Sequence, residues 1–335
     1  MSFLTVCLNP TLQKTLRFSS IVPGAVNRTG VHRLDVSGKG INVTRVLSQL
    51  GKKAVHLTQL GGVMRPLFLS LCEQDGLSVE WVESGSQIRF CYTILTENDG
   101  EVTEIVEDTQ EQHGDAVWMN NAARCSPNKS PNVNEGGFAL ANPAGAGITE
   151  QVEQRLLEKF NSILGDPSLD LKCLIISGTK AAGFSDTVIP SMTRKAKEKG
   201  LRVILDVKGK DLIESLQYEP DVVKPNLLEF AETFALDLAA ENEHIKSAMR
   251  ETAHKYNCRI ILTNGSRKIL AADRDQFFEV EFEAVKAVNS TGCGDAFTGG
   301  LAAALADGAN FYEAIGEGAR CGARNAALIR PGVIR

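Results

Sequence analysis

Residues 289–300 read NSTGCGDAFTGG. Gly292 and Gly294 flank Cys293, Asp295 follows at once, and the text beyond turns helical with Ala296, Phe297 and Leu301. Alternate glycines let a backbone bend so that consecutive N–H groups converge on one point, a nest that binds phosphate oxygens and favours developing negative charge. A carboxylate at its edge has two readings: it caps the helix, or it is a base beside an anion site. A carboxyl at a helix N-terminus is expected to sit below its ordinary pKa of about 4.

Three other segments place small or polar residues where an apolar run meets a helix or a turn. In an open α/β sheet, ligands bind at such carboxyl ends of strands. In SGKGINVTR (37–45), Gly38 and Gly40 leave N–H groups free to face an anion, Lys39 adds a positive charge, and Asn42 both donates and accepts. The segment matches neither GxxxxGK[ST] nor GxGxxG, and an ordinary loop-to-helix turn fits it equally well. In KPNLLEF (224–230), Pro225 ends a strand, Asn226 caps the next helix and Glu229 falls at the capping-box position. The functional alternative is that Asn226 and Glu229 order a hydrated Mg²⁺ and a phosphate through water. In LTNGS (262–266), a turn of small polar residues suits a nucleotide's phosphates or ribose, and a simple β-turn is the other reading.

The elements that must position these segments alternate between strand and helix. Residues 3–8, 54–60, 173–177, 202–207, 221–226 and 259–264 read as short apolar strands, and their continuous apolar runs suit strands of a mostly parallel sheet covered on both faces. Val43, Val46, Leu47 and Leu50 share one helical face, which Gly51 ends. Residues 11–35 and 87–107 break the rhythm. They read as exposed strands of a small separate sheet, the second a hairpin around Asn98-Asp99-Gly100. Residues 108–147 are poor in periodicity and read as a long surface excursion.

The 335 residues suffice for one large α/β domain. A net charge of −5 argues against a general nucleic-acid binder, and no apolar stretch is long enough to span a membrane. The eight cysteines form no CxxC pair and read as reduced thiols; with no basic, signal-like start, a cytoplasmic protein is expected.

Taken together, SGKGINVTRVLSQLG, KPNLLEF and NSTGCGDAFTGGLAAAL resemble the motifs of the ribokinase-like (PfkB-type) carbohydrate kinases, over nearly the whole chain except roughly 108–140. LNPTLQKTLRF, VNRTGVHRLDVSGKGINVTR, the hairpin and ISGTKAAGF are closest to the phosphosugar branch, the 1-phosphofructokinases and tagatose-6-phosphate kinases. The resemblance implies a single domain with a doubly wound, mostly parallel sheet flanked by helices, plus a small β-sheet lid that pairs across a homodimer. It implies transfer of the ATP γ-phosphoryl group, with Mg²⁺, to a hydroxyl of fructose 1-phosphate or of fructose or tagatose 6-phosphate. Asp295 matches the family's base, and Gly292, Cys293 and Gly294 its anion hole. Gly38, Lys39, Gly40 and Asn42 match the sugar-contacting turn, Arg89 and Arg28 the substrate-phosphate arginines, with Lys39 as a further anchor. Lys224, Asn226, Thr263, Asn264 and Gly265 fall on the nucleotide side, with Glu229 and Asn226 toward the metal. Gln13 stands at a substrate position where the family usually has Asp, Ser37 and Cys293 replace a glycine and a smaller residue, and Lys268 replaces a glycine that often follows TNG. A kinase of a neutral sugar or nucleoside, and a non-catalytic sensor, are the alternatives.

Overall fold

Alternation along the strands decides the layers. In a strand β8 spanning Leu171–Ser177, Leu174 and Ile176 point to one face of the sheet while Cys173 and Ile175 point to the other, and all four are buried. The same division runs through β1 (Ser2–Val6), where Leu4 and Val6 oppose Phe3, and through β9 (Arg202–Asp206), where Val203 and Leu205 oppose Ile204. A computed structural model describes residues 2–107, 147–238, 242–283 and 285–335. The excursion expected over 108–147 lies, apart from Gly147, outside the described residues, as does Cys125.

Among the described residues, nine strands form the main sheet. From one edge it runs β13 (Phe277–Val280), β12 (Ile269–Ala272), β11 (Arg259–Leu262), β10 (Val222–Val223), β9, β8, β1, β4 (Lys53–Gly61) and β5 (Ser78–Ser84). Pairing is parallel from β11 to β5 and antiparallel only at β12 and β13. On one face lie α1 (Lys39–Gln49), α8 (Cys293–Ala306) and α9 (Phe311–Ala326), which contribute Val43, Leu47, Phe297, Leu301 and Ile315. The other face is covered by α3 (Glu150–Gly165), α4 (Val188–Glu198), α5 (Gly209–Leu216), α6 (Leu227–Thr233) and α7 (Asn242–Lys255), with Phe160, Met192, Leu212, Phe230 and Met249 among the buried groups. A mostly parallel sheet with helices on both faces is the expected doubly wound α/β arrangement. The chain leaves β1 toward β4 on one side and later resumes at β8 on the other, so the strand order reverses at β1 and opens a crevice at the carboxyl ends.

A second sheet has the order β3 (His32–Ser37), β2 (Thr11–Phe18), β6 (Arg89–Thr96), β7 (Val102–Val106). The β6–β7 pair is the expected hairpin, with Asp99 accepting the Glu101 N–H at its turn. These strands are less exposed than their polar text suggests. Leu12 and Val36 pack on Phe68 of α2 (Arg65–Gln74), while Gln13, Thr15 and Thr93 are buried as well. Tertiary contact has covered polar side chains that a strand pattern alone assigns to solvent.

Two boundaries bear on the site, and the second is shorter than the strand expected over 221–226. Helix α1 begins at Lys39, inside the SGKGIN stretch, because Gly38 at φ 108° turns the chain directly into it. Strand β10 is only Val222–Val223, because Pro225 lacks the N–H a longer ladder would use. Asn226 nevertheless keeps a parallel bridge to Thr263, which aligns the KPN and TNG turns side by side.

Candidate active site

Gly292 caps α8 in a left-handed conformation, φ 82°. A Cβ there would also lie 2.9 Å from Pro331 Cβ and 3.1 Å from Asn325 Oδ1, so this position needs glycine twice over. Beyond it, Cys293 donates its N–H to the Ser290 carbonyl at 3.3 Å and Ala296 closes the first helical bond to Gly292 at 2.8 Å. The Gly292 and Gly294 N–H groups meet no protein acceptor among the described residues. The nest read from the alternate glycines is therefore narrower than the text implies, with Cys293 turned into the protein.

Asp295 sits in the first turn of α8, is 7% exposed, and accepts a hydrogen bond from Asn42 Nδ2 at 2.8 Å. Its carboxyl is pushed up to about 7, chiefly by burial. Lys39 works against that shift, the Asp206 carboxylate adds to it, and the Asn42 hydrogen bond and Lys224 lower it again. The expected lowering at a helix N-terminus is thus overturned. Removing a carboxylate from water raises its proton affinity by more than a helix dipole recovers.

Two lysines and two carboxylates adjoin it. Asp206, at the end of β9, is buried, accepts from Ser177 Oγ at 3.1 Å, and lies 3.5 Å from both Lys39 Nζ and Lys224 Nζ. Burial pushes its carboxyl up, but Lys224 and Lys39 hold it below the usual carboxylate range. Lys39 also lies 3.4 Å from Glu229 Oε1 and is raised chiefly by Asp206. Lys224 Nζ stands over the Phe297 ring, 5.9 Å from its centre. The Lys39 ammonium is therefore engaged by two carboxylates, Asp206 at the end of β9 and Glu229 in α6.

Asn226 and Glu229 form the capping box read from KPNLLEF. The Asn226 side chain accepts the Glu229 N–H at 2.8 Å, and Glu229 Oε2 accepts the Asn226 N–H at 2.9 Å. No group of three or more His, Cys, Asp or Glu suited to hold a metal occurs among the described residues. A lone carboxylate beside an amide oxygen, both retaining lone pairs, fits a Mg²⁺ that keeps its waters and binds chiefly to phosphates, not an all-protein cage.

These residues line one cleft of about 670 Å³. The second sheet supplies Thr11, Gln13, Ser37 and Arg89, and the start of α1 Gly38 and Asn42; the segments after β10 and β11 supply Lys224, Asn226, Thr263 and Gly265, and α6 Glu229, while Phe282, Val285, Ala319 and Ala323 add apolar lining. Asp295 and Lys39 line the same cleft. Gln13 donates to Thr93 Oγ1 at 2.6 Å, and Arg89 Nε to Thr11 Oγ1 at 3.2 Å. Three sequence candidates do not line the cleft. Arg28 is exposed in the loop between β2 and β3, Asn264 lies outside the lining, and Gly40 is packed away from it. A Cβ on Gly40 would meet Cys7 Cβ and His56 Cε1 at 2.8 Å, so that glycine lets α1 approach β1.

The reading from residues missed Asp206, Arg45, Glu104 and Thr291. Asp206 left one signal, a carboxylate ending the apolar run RVILD. Thr291 donates to Glu104 Oε1 at 2.7 Å, joining β7 to the turn that precedes Asp295. Nothing in the text of 101–106 marks that contact, because the two residues are 187 positions apart.

Residues 170–327 match the sequence pattern described as pfkB family carbohydrate kinase. Among solved structures, phosphofructokinase-2 of Escherichia coli in complex with fructose-6-phosphate superposes with a TM-score of 0.75 at 22% identity, covering 97% of this chain and 92% of that one. A candidate 1-phosphofructokinase of Thermotoga maritima gives 0.78 at 20% identity, covering 98% and 93%. A candidate ribokinase of Agrobacterium tumefaciens gives 0.71 at 13% identity, covering 99% and 93%. At these identities the structures speak for the fold, which is ribokinase-like, and the sequence match speaks for the chemistry. Residues 170–327 thus carry the pfkB carbohydrate kinase pattern, that of phosphotransferases with an alcohol group as acceptor, on a ribokinase-like fold that spans the chain.

Proposed function

We propose that this chain transfers the γ-phosphoryl group of ATP to a hydroxyl of a sugar phosphate, giving a sugar bisphosphate and ADP. The observation that carries the reading is the lining of the cleft, where a guanidinium, Arg89 of the second sheet, shares one cavity with the buried carboxylate of Asp295 and with the apolar side chains of Phe282, Val285, Ala319 and Ala323. An arginine fork suits a second phosphate on the acceptor, where a neutral sugar has nothing to pair with it. Phosphofructokinase-2, which shares the fold, was crystallised with fructose-6-phosphate.

Arg89 then anchors the non-reacting phosphate, and Gln13 and Asn42 hydrogen-bond hydroxyls, so binding energy from a remote group orients the reacting one. The apolar wall of Phe282, Val285, Ala319 and Ala323 takes the base of the nucleotide, and Thr263 and Gly265 its ribose or phosphates. Glu229 and Asn226 would hold a hydrated Mg²⁺, which would supply charge neutralisation on the phosphates. The acceptor oxygen bonds to phosphorus as the bond from phosphorus to the leaving ADP oxygen breaks, and the hydroxyl proton passes to Asp295. The transition state is loose, so the proton transfers late. With its carboxyl at about 7, Asp295 is well matched to accept it near neutral pH. Lys39, Lys224 and the N–H groups of Gly292 and Gly294 offset charge on the moving phosphoryl group.

The second sheet acts as a lid over the acceptor half. We place the enzyme in the cytoplasm, as a homodimer joined through that sheet. A coupled assay of ADP release tests the reading with fructose 1-phosphate, fructose 6-phosphate, tagatose 6-phosphate and neutral fructose. Turnover of one phosphorylated hexose well above fructose is expected. Equal or greater turnover of fructose would overturn the phosphosugar assignment, and no ADP release with any sugar would leave the sensor reading standing.

A further inference from the structure

Behind Asp295, away from the cleft lining, lies a buried guanidinium that the mechanism does not use. Arg45 is 4% exposed, and each of its five N–H donors has a partner. Nε and Nη2 donate to Asp75 Oδ2 at 3.1 and 2.9 Å, and Nη2 also donates to the Val36 carbonyl at 2.7 Å. Nη1 donates to the Pro331 carbonyl at 3.1 Å and to Asn42 Oδ1 at 2.9 Å. Four separate segments thus hold one planar group, and Arg330 anchors Asp75 from the far side.

The last contact has a directional consequence. A guanidinium only donates, so the Asn42 atom that faces it must be the oxygen. The amide nitrogen is then turned the other way, to Asp295 Oδ2 at 2.8 Å. A donor aimed at a carboxylate favours its ionised form, whereas the flipped amide would present an oxygen and favour the protonated acid. The segment beyond Pro331 reinforces the lock. Gly332 approaches so closely that a Cβ would lie 2.9 Å from Asn42 Cα and 3.0 Å from Arg45 Nη1.

We propose that Arg45 is a positioning residue: by fixing the Asn42 amide with its nitrogen toward Asp295, it sets the orientation and the charge state of the base without touching either substrate. The proposal rests on the kinase reading for its kinetic consequence only. The groups that face Asp295 are Asn42 and Lys39 of α1, Asp206 of β9, Lys224 after β10, and the more distant Cys7 and Cys293. Arg45 reaches it only through Asn42.

Titration of the aspartate Cγ carbons by NMR on ¹³C-labelled full-length chain, with Asp295 assigned from Asp295→Asn, reads the effect without any turnover. Arg45→Gln is expected to raise the Asp295 midpoint by about one pH unit, a tenfold change in proton affinity. Arg45→Lys, which keeps the charge and loses the fork, should fail to restore it. In an Asn42→Ala background, Arg45→Gln should add nothing, because its route is already cut. Should Arg45→Gln not fold, Asp75→Asn loosens the guanidinium from behind and shifts the midpoint in the same direction by less. Kinetically, kcat at pH 7 falls about fivefold while KM for ATP stays within about twofold. An unmoved midpoint, or full additivity with Asn42→Ala, overturns the proposal whatever the activity. A moved midpoint in a chain that phosphorylates no sugar upholds the positioning role and refutes the kinase reading instead.

Discussion

Replacing Asp295 by Asn should abolish turnover and stabilise the protein, and the stabilisation should depend on pH. The folded carboxyl titrates at about 7, against 3.8 for an ordinary aspartate. At 1.36 kcal/mol per pH unit, ionised Asp295 costs the wild-type fold roughly 4 kcal/mol. The sign follows from linkage. A carboxyl whose folded pKa is raised binds more protons in the folded state, so its contribution is fully present below about pH 4 and is lost as pH rises through 7. Asparagine has no such term, and its side-chain oxygen still accepts the Asn42 donor. Urea unfolding of wild type and Asp295→Asn at pH 4.5, 6 and 8 checks this. The variant should gain little at the first and up to about 4 kcal/mol at the last. A gain that is equal at all three values, or a loss at pH 8, would refute the claim that burial has made this carboxylate strained. ADP release should fall by a factor of about 10² to 10⁴, the range for removing a general base, while nucleotide binding persists.

Three further outcomes are expected. The wild-type kcat profile should fall on its acid side with a midpoint near 7, so that kcat at pH 6 is about one-tenth of the plateau; a flat profile between pH 5.5 and 8 would argue against Asp295 as the base. Arg89→Ala should raise KM for a phosphorylated hexose at least about tenfold and leave that for fructose nearly unchanged, consistent with loss of a charge-assisted pair; steady-state kinetics on both sugars would expose an equal effect on each. Asn226→Ala should cost about 1 kcal/mol of stability through the lost cap and raise the Mg²⁺ concentration for half-maximal activity; unchanged metal dependence would leave KPNLLEF a cap only.

What the amino-acid sequence determined by itself is local and periodic. The apolar runs around Cys173–Ile176 and Val203–Leu205 alternate between two buried faces, and the 3.6-residue spacing of Val43, Val46 and Leu47 places α1 on one of them. Gly38 and Gly292 were legible as glycine turns ahead of a helix, and the Asn226–Glu229 box because its partners are three residues apart. Motif residues and spacing also marked Asp295, Asn42 and Lys39 as candidates, and the family resemblance added Arg89. Their arrangement was not legible, since it depends on groups distant along the chain. Asn42 meets Asp295 across 253 positions and Arg45 meets Pro331 across 286, while Lys39 is drawn to Asp206 rather than left free. Polar text at Gln13 and Thr93 suggested solvent, and only packing of the second sheet showed burial. Most of all, the proton affinity of Asp295 was read in the wrong direction. A helix N-terminus is visible in a string of letters, but the loss of water around a carboxylate is not. Desolvation is a property of everything that surrounds the group, so only the tertiary structure could decide it.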